Sequence, residues 1–198
     1  MTKVEHEGQV WDAFPELDDI ADQDLRTQVV ETWALGLDRG GWKDIRDIPY
    51  AWNITEVSTV EHTRGVVQIA DRSAEVQADL HGADPDRDVV RAAALLHDVG
   101  KCHEYVAHVD DDLLSDPDPQ YATGDVPHSM AGYALAHEVG LPLSVQRAIP
   151  HVIGELPKRT LEAELVKSAN AASSNAITQA EMGISLDEWI ENYSTATE

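Results

Sequence analysis

The sequence contains one cysteine among 198 residues, so Cys102 can form neither an internal disulfide nor a cysteine-based zinc cluster. Long apolar runs are also missing. The longest span about five residues, such as 92–96, and this excludes a membrane-spanning helix. The first 14 residues lack the apolar stretch of a secretory signal. Together these absences favour a soluble, cytoplasmic protein.

Positive charge is scarce as well. The chain has 14 Lys and Arg, only five of them Lys, against 37 Asp and Glu, and its formal net charge is -23. Such a chain repels nucleic acid and anionic lipid, so we expect a small-molecule substrate and neither a nucleic-acid nor a membrane partner. Salt screens the self-repulsion, and the composition suits a salty cytoplasm. A homo-oligomer remains open.

Alternating strand patterns are scarce, and helical spacing dominates, which predicts an all-α fold. We expect a helical bundle over residues 55–198. Residues 1–54 should form an acidic lead-in (1–20), a helix that packs on the core, and a connector (39–57). Residues 104–127 read as a long acidic loop, typical of a lid. The predicted helices are 22–38, 58–80 with a capping box at Ser58 and Glu61, 87–98, 127–139, 143–153, 160–181, and a last one opened by Ser185 and Glu188.

The chemical signal lies in the placement of the nine histidines. His62 shares a helical face with Val66 and Ile69, and three further histidines also point toward apolar surroundings. Burying several imidazoles and the carboxylate of Asp98 costs several kcal/mol unless a partner compensates, and a divalent cation is the simplest partner. Imidazole and carboxylate suit iron, manganese, zinc, nickel or cobalt. The four histidines are His62, His97, His128 and His151.

The stretches STVEHTRGVV and ALLHDVGK (94–101) resemble an HD-domain protein of the metal-dependent phosphohydrolase superfamily. Further pieces follow in the expected order: PHSMAGYALAHEVGLP, AIPHVIGE and ELVKSANA. The resemblance covers about residues 55–175. It implies a helical bundle with one or two divalent metal ions between its central helices.

The resemblance also implies the ligands. His62, His97 and Asp98 match the ligands of the first metal, and Asp98 would bridge to a second one. His128 and His151 match the additional pair of a dinuclear site. The last ligand of the family is usually Asp, whereas this sequence has Asn170, a neutral and weaker ligand. That departure implies an altered metal preference, a single metal, or weak catalysis.

Catalysis would fall to Asp98 and metal-activated water, with Lys101 of the HDxGK pattern holding a phosphate oxygen. Lys101 as a cation at a helix C-terminus is the other reading. Arg147 and Lys167 are further candidates for anion binding, and Arg64 reads as a surface residue. Cys102 reads as structural. The remaining histidines are expected to be exposed: His6, His81, His103, His108 and His137. For His103 and His108, which flank the acidic loop, a supporting role at the site also remains open.

Three functions remain open. The first is a metal-dependent hydrolase of a small phosphate ester or nucleotide, which the resemblance implies by default. The second is a non-hydrolytic enzyme of the same superfamily, a di-iron oxygenase, hydratase or lyase; the neutral Asn170 and the anion-repelling loop favour it. The third is a binding module with weakened catalysis.

Overall fold

The computed structural model describes residues 2–51, 54–105, 127–151 and 160–183, together with Ser185 and Glu188. Within these ranges the fold is all-α, as predicted, and the only strands pair in one short antiparallel hairpin. The elements are α1 (Lys3–Ala13), α2 (Gln23–Gly40), β1 (Pro49–Ala51), β2 (Ile54–Ser58), α3 (Thr59–His81), α4 (Arg87–Leu96), α5 (Lys101–Glu104), α6 (His128–Val139), α7 (Leu143–His151) and α8 (Leu161–Met182).

Helix α3 begins at the predicted capping box. Ser58 Oγ accepts a hydrogen bond from the Glu61 amide at 3.2 Å, and the Glu61 carboxylate accepts one from the Ser58 amide at 2.8 Å. The buried face of α3 is centred near Ala70, with His62 at its edge. The predicted neighbour Ile69 is 37% exposed, so that part of the predicted core face is wrong. His62 is buried because α8 and the hairpin cover it, not because it lies in the middle of the core face.

Helix α4 lies at the centre of the bundle. It packs against α2, α3, α7 and α8, and every side chain over 92–96 is fully buried. This second half of the helix is apolar on all sides, and such a segment is stable only inside a protein. The predicted end at residue 98 is two residues too late, because 97–100 form a turn between α4 and α5. This turn presents a histidine and an aspartate at the inner end of the most buried helix.

The prediction of an irregular lead-in over residues 1–20 is wrong. Residues 3–13 form α1, which Thr2 caps together with Glu5, and a short 3-10 helix follows over Pro15–Asp19. Among the acidic residues of this segment, three positions with helical spacing face the core and are buried: His6, Val10 and Ala13. The connector predicted over 39–57 contains the hairpin, whose strands are too short for alternation to reveal them.

Two indole groups connect the N-terminal part of the chain to the backbone around the turn 97–100, which we call the central turn. Trp33 Nε1 donates a hydrogen bond to the Leu95 carbonyl, and Trp42 Nε1 donates one to the Cys102 carbonyl, both at 2.9 Å. Carbonyls at helix ends lack intrahelical partners, and these donors satisfy them in the interior. The two bonds therefore hold the backbone on either side of the turn. The division into 1–54 and 55–198 stays a prediction.

Several predictions fall outside the described residues. These are most of the acidic loop, the end of the 143–153 helix, and the last short helix. Of the loop, residues 106–126 are not described. The capping box that opens the last helix is present, with the Ser185 amide donating to Glu188 Oε2 at 2.8 Å. In the described part of the chain, no helix has the length and apolar character needed to cross a bilayer.

Candidate metal centre

His62, His97 and Asp98 meet at the inner end of α4. His62 Nε2 lies 3.2 Å from His97 Nε2. Asp98 Oδ2 lies 3.5 Å from the first of these nitrogens and 3.4 Å from the second. All three residues are buried, and one ligand atom from each lies within 4.8 Å of the other two. Sequence positions 35 residues apart thus form one group that could hold a metal ion.

The Nδ1 atoms of His62 and His97, which face away from Asp98, contact other groups of the protein. His97 Nδ1 lies 2.7 Å from the Ala94 carbonyl, which can only accept, so the nitrogen carries the proton. His62 Nδ1 lies 3.1 Å from Ser173 Oγ on α8. Gly65 leaves room for this approach, since a Cβ there would make a tight contact of 3.3 Å with the same oxygen. In metal sites, histidines are commonly oriented in this way, with Nδ1 held and Nε2 facing the ion.

Asn170 brings an amide oxygen to the same group from α8. Its Oδ1 lies 2.9 Å from His62 Nε2, and it also accepts a hydrogen bond from Ser174 Oγ at 3.4 Å. With the proton on Nδ1, Nε2 of His97 can present a lone pair, and Asp98 and Asn170 add oxygen lone pairs. A concentration of electron-pair donors in a buried place fits a divalent cation.

His128 approaches Asp98 from the opposite side. It is the first residue of α6, and its Nε2 lies 3.4 Å from Asp98 Oδ1, whereas His62 and His97 face Oδ2. Gly100 makes this possible, because a Cβ at that position would lie 1.8 Å from the His128 carbonyl oxygen. The first turn of α6 can therefore rest directly on the central turn.

Lys101 lies inside this group. Its side chain is buried, and Nζ donates to Asp98 Oδ2 at 2.7 Å and to the Tyr50 carbonyl at 2.5 Å. The ammonium also lies 4.6 Å from the centre of the Tyr50 ring, a cation–π contact. Two of its three N–H groups are thus engaged with the protein. The lysine balances the charge of Asp98 and connects it to the hairpin.

Burial and neighbouring charges set the protonation states needed for metal binding. Burial lowers the pKa of His62 to about 3, although the charge of Asp98 opposes this effect. Burial also acts to raise the pKa of Asp98, but Lys101 and His97 outweigh it and hold that pKa well below its ordinary value. At neutral pH the imidazole is therefore neutral and the carboxylate ionised, which are the forms that bind metals.

Other predicted site residues lie elsewhere or outside the description. Arg147 is exposed on α7 and Lys167 is half-buried on α8. Neither is bound to the group around Asp98 in the described part of the chain. His151 ends α7, and its side chain is outside the description. Arg64 is partly exposed and pairs with Glu16 at 3.0 Å.

Two expectations of exposure among the other histidines are wrong, whereas His81 and His137 are exposed as expected. His6 is buried because it lies on the inner face of α1. His103 is half-buried, and burial lowers its pKa with a contribution from Arg39. His108 is outside the described residues. Cys102 is fully buried, which agrees with the structural role expected for it, and burial raises the pKa of its thiol.

The sequence reasoning missed three residues that touch the group: Tyr50, Glu104 and Ser173. Glu104 Oε2 lies 2.5 Å from His128 Nδ1. Glu104 lies three residues after Lys101, but it belongs to the predicted acidic loop 104–127, and nothing in that stretch points to His128. Ser173 lies one turn after Asn170, and this spacing was readable. The ring centres of Tyr50 and His62 are 4.5 Å apart, and no local pattern predicts that contact.

Comparisons with known proteins agree with this geometry. A family model described as the HD domain matches residues 59–174, more than half of the chain. A protein of Methanocaldococcus jannaschii named dihydroneopterin 2',3'-cyclic phosphate phosphodiesterase is 29% identical over 122 residues, which are 60% of this chain and 47% of that protein. The chain thus spans about half the length of this curated relative. No solved structure matches.

Proposed function

The chain belongs to the HD domain family, and on that premise we propose that it is a metal-dependent hydrolase of small phosphate esters or nucleotides. His62, His97, Asp98 and Asn170 would hold a divalent metal ion. His128 would hold a second ion on the other side of Asp98. The name of the relative makes phosphodiesters of small molecules the first substrates to test.

The observation that carries this proposal is the convergence of three imidazole nitrogens on one carboxylate. The Nε2 atoms of His62, His97 and His128 lie between 3.4 and 3.5 Å from the two oxygens of Asp98. Hydrogen bonding alone does not explain this arrangement, because His97 has its proton on the opposite nitrogen. Lone pairs that face each other in a buried site are stabilised when a cation lies among them.

The residues have distinct parts in the reaction. Asp98 stays ionised and offers one oxygen to each side of the site. Lys101 holds that carboxylate in place, and its remaining N–H can donate to an anionic substrate oxygen. A divalent ion, when bound, supplies Lewis acidity and lowers the pKa of a coordinated water to about 7.

The charge of the site supports an anionic substrate despite the acidity of the whole chain. The carboxylates of Asp98 and Glu104 are partly balanced by the ammonium of Lys101, so the group carries one net negative charge when its histidines are neutral. One divalent ion reverses that sign. A phosphate ester would then meet a locally positive centre, and electrostatic attraction would hold it there.

The test is hydrolysis by untagged protein whose metal content has been measured by elemental mass spectrometry. Bis(4-nitrophenyl) phosphate, 4-nitrophenyl phosphate and a 2',3'-cyclic nucleotide separate diesterase from monoesterase activity. We expect hydrolysis that chelation abolishes and that metal addition restores. His128→Ala should lower it by about 100-fold or more, because losing an ion ligand should cost at least as much as losing an outer-shell partner.

His137→Ala is the matched control, because His137 lies on the same helix and is exposed. It should hydrolyse like the wild type. Wild-type protein that hydrolyses none of these esters with any added divalent metal would contradict the proposal. The two alternatives predict different results with the same protein: bound iron with oxygen uptake for the oxygenase, and metal binding without turnover for the binding module.

A further inference from the structure

The environment of His128 includes a carboxylate that the sequence pattern does not assign. Glu104 is the last residue of α5, and its Oε2 lies 2.5 Å from His128 Nδ1. Both atoms are shielded from solvent, and neither makes a hydrogen bond to another described residue. The distance is short although the ring N–H does not point straight at the oxygen, so the contact is electrostatic more than a linear hydrogen bond.

The contact has a consequence for the opposite side of the ring. A carboxylate beside Nδ1 favours the tautomer with the proton on that nitrogen, and Nε2 then presents its lone pair. That lone pair faces Asp98 Oδ1 at 3.4 Å. Ala94 orients His97 in the same way through a carbonyl, whereas Glu104 adds a negative charge that also makes the imidazole a stronger electron-pair donor.

We propose that Glu104 is a positioning residue for the metal centre: it orients His128 so that Nε2 binds an ion on the Oδ1 side of Asp98. The proposal rests on the proposed function. It predicts that this side of the site depends on the first residue of the predicted acidic loop, which follows Asp98 by six residues. A purely structural role, in which Glu104 only joins α5 to α6, would leave metal binding unchanged.

The experiment is a titration of metal-stripped protein with Zn²⁺ in competition with a chromophoric chelator. We expect Glu104→Ala to weaken zinc binding on one side of the site by about 10- to 100-fold, the usual effect of removing an outer-shell partner. Glu104→Gln keeps an acceptor oxygen without the charge, and we expect it to restore part of the affinity. The thermal unfolding of the metal-free variants should stay close to that of the wild type.

The matched control is Glu138→Gln. Glu138 joins α6 to α2 through Arg39 at 2.6 Å and lies away from the site, so zinc affinity should not change. Residues that act as one unit show non-additive effects. The double variant Glu104→Ala, His128→Ala should therefore bind zinc no more weakly than His128→Ala alone.

Wild-type zinc affinity and stoichiometry in Glu104→Ala would overturn the proposal. If that variant does not fold, Glu104→Gln decides, and wild-type zinc binding by it would overturn the proposal as well. Failure here is distinguishable from failure of the proposed function. If the wild type binds metal and hydrolyses esters, and the Glu104 variants bind zinc as tightly as it does, only the role of Glu104 is rejected. If the wild type binds no zinc, both proposals are rejected.

Discussion

At the scale of single residues, Asn170 is the departure with the greatest chemical consequence. Its oxygen lies 2.9 Å from His62 Nε2, beside the proposed ligands, but it carries no charge. An amide binds a divalent ion less strongly than a carboxylate does, because charge contributes much of the affinity for hard ions. The same neutrality makes the metal-free protein more stable, since a second carboxylate at this position would repel that of Asp98.

Asn170→Asp should therefore have opposite effects on the metal-free and metal-bound protein. We expect about tenfold tighter binding of Mn²⁺, since charge on the ligands raises affinity, and a lower unfolding temperature of the metal-stripped protein. Isothermal titration and thermal melts with and without metal would measure both effects. Asn175→Asp adds the same charge at an exposed position of α8 and is the control. Unchanged affinity in Asn170→Asp would show that residue 170 does not contact the ion.

At the scale of elements, the hairpin forms one wall of the site although it precedes the matched region 59–174. The Tyr50 ring packs against His62 and beneath the Lys101 ammonium. Burial raises the pKa of the Tyr50 hydroxyl, which is hydrogen bonded to Ser174. One residue of β1 thus contacts α3, α5 and α8, and it joins the N-terminal part of the chain to the proposed ligands.

Tyr50→Leu should destabilise the protein by about 1–2 kcal/mol, because it removes a partly desolvated cation–π contact and the ring packing. It should also weaken metal binding, because Lys101 and His62 lose a shared support. Tyr50→Phe is the matched control: it keeps the ring and loses only the hydroxyl, at a cost of about 1 kcal/mol. Urea unfolding and zinc titration would measure both effects. Equal zinc affinity in the wild type and Tyr50→Leu would limit the role of the hairpin to stability.

At the scale of the whole molecule, the net charge of -23 opposes the compact state through self-repulsion. Many of the described ion pairs are at the surface, where such pairs contribute little, so they do not offset the repulsion. Salt shortens the range of the repulsion from about 10 Å at 0.1 M to about 3 Å at 1 M.

The unfolding temperature of metal-stripped protein should therefore rise between 0.1 and 2 M KCl. A thermal melt followed by circular dichroism measures it, with chelator present throughout. Asp79→Lys replaces an exposed negative charge in the last turn of α3, and should raise stability at low salt and reduce the salt dependence. Equal unfolding temperatures of the wild type at both salt concentrations would contradict this reading of the charge.

Much of the fold was readable from local patterns. The capping box at Ser58 is an interaction within one turn, and together with the helical spacing that follows it sets where α3 begins. The ALLHDVGK stretch was sufficient to indicate the family. Helix α1 and the hairpin were missed, because acidic composition and short strands leave weak local signals.

The sequence alone determined the helical class, the family resemblance and the candidate ligands, because each of these follows from residue type and short-range spacing. Only the tertiary structure decided that Lys101 turns inward to Asp98, that Tyr50 covers His62 and that Glu104 meets His128. These contacts depend on how α5, α6 and the hairpin pack around the central turn. Packing of this kind arises from the whole chain folding together, so no local sequence pattern encodes it.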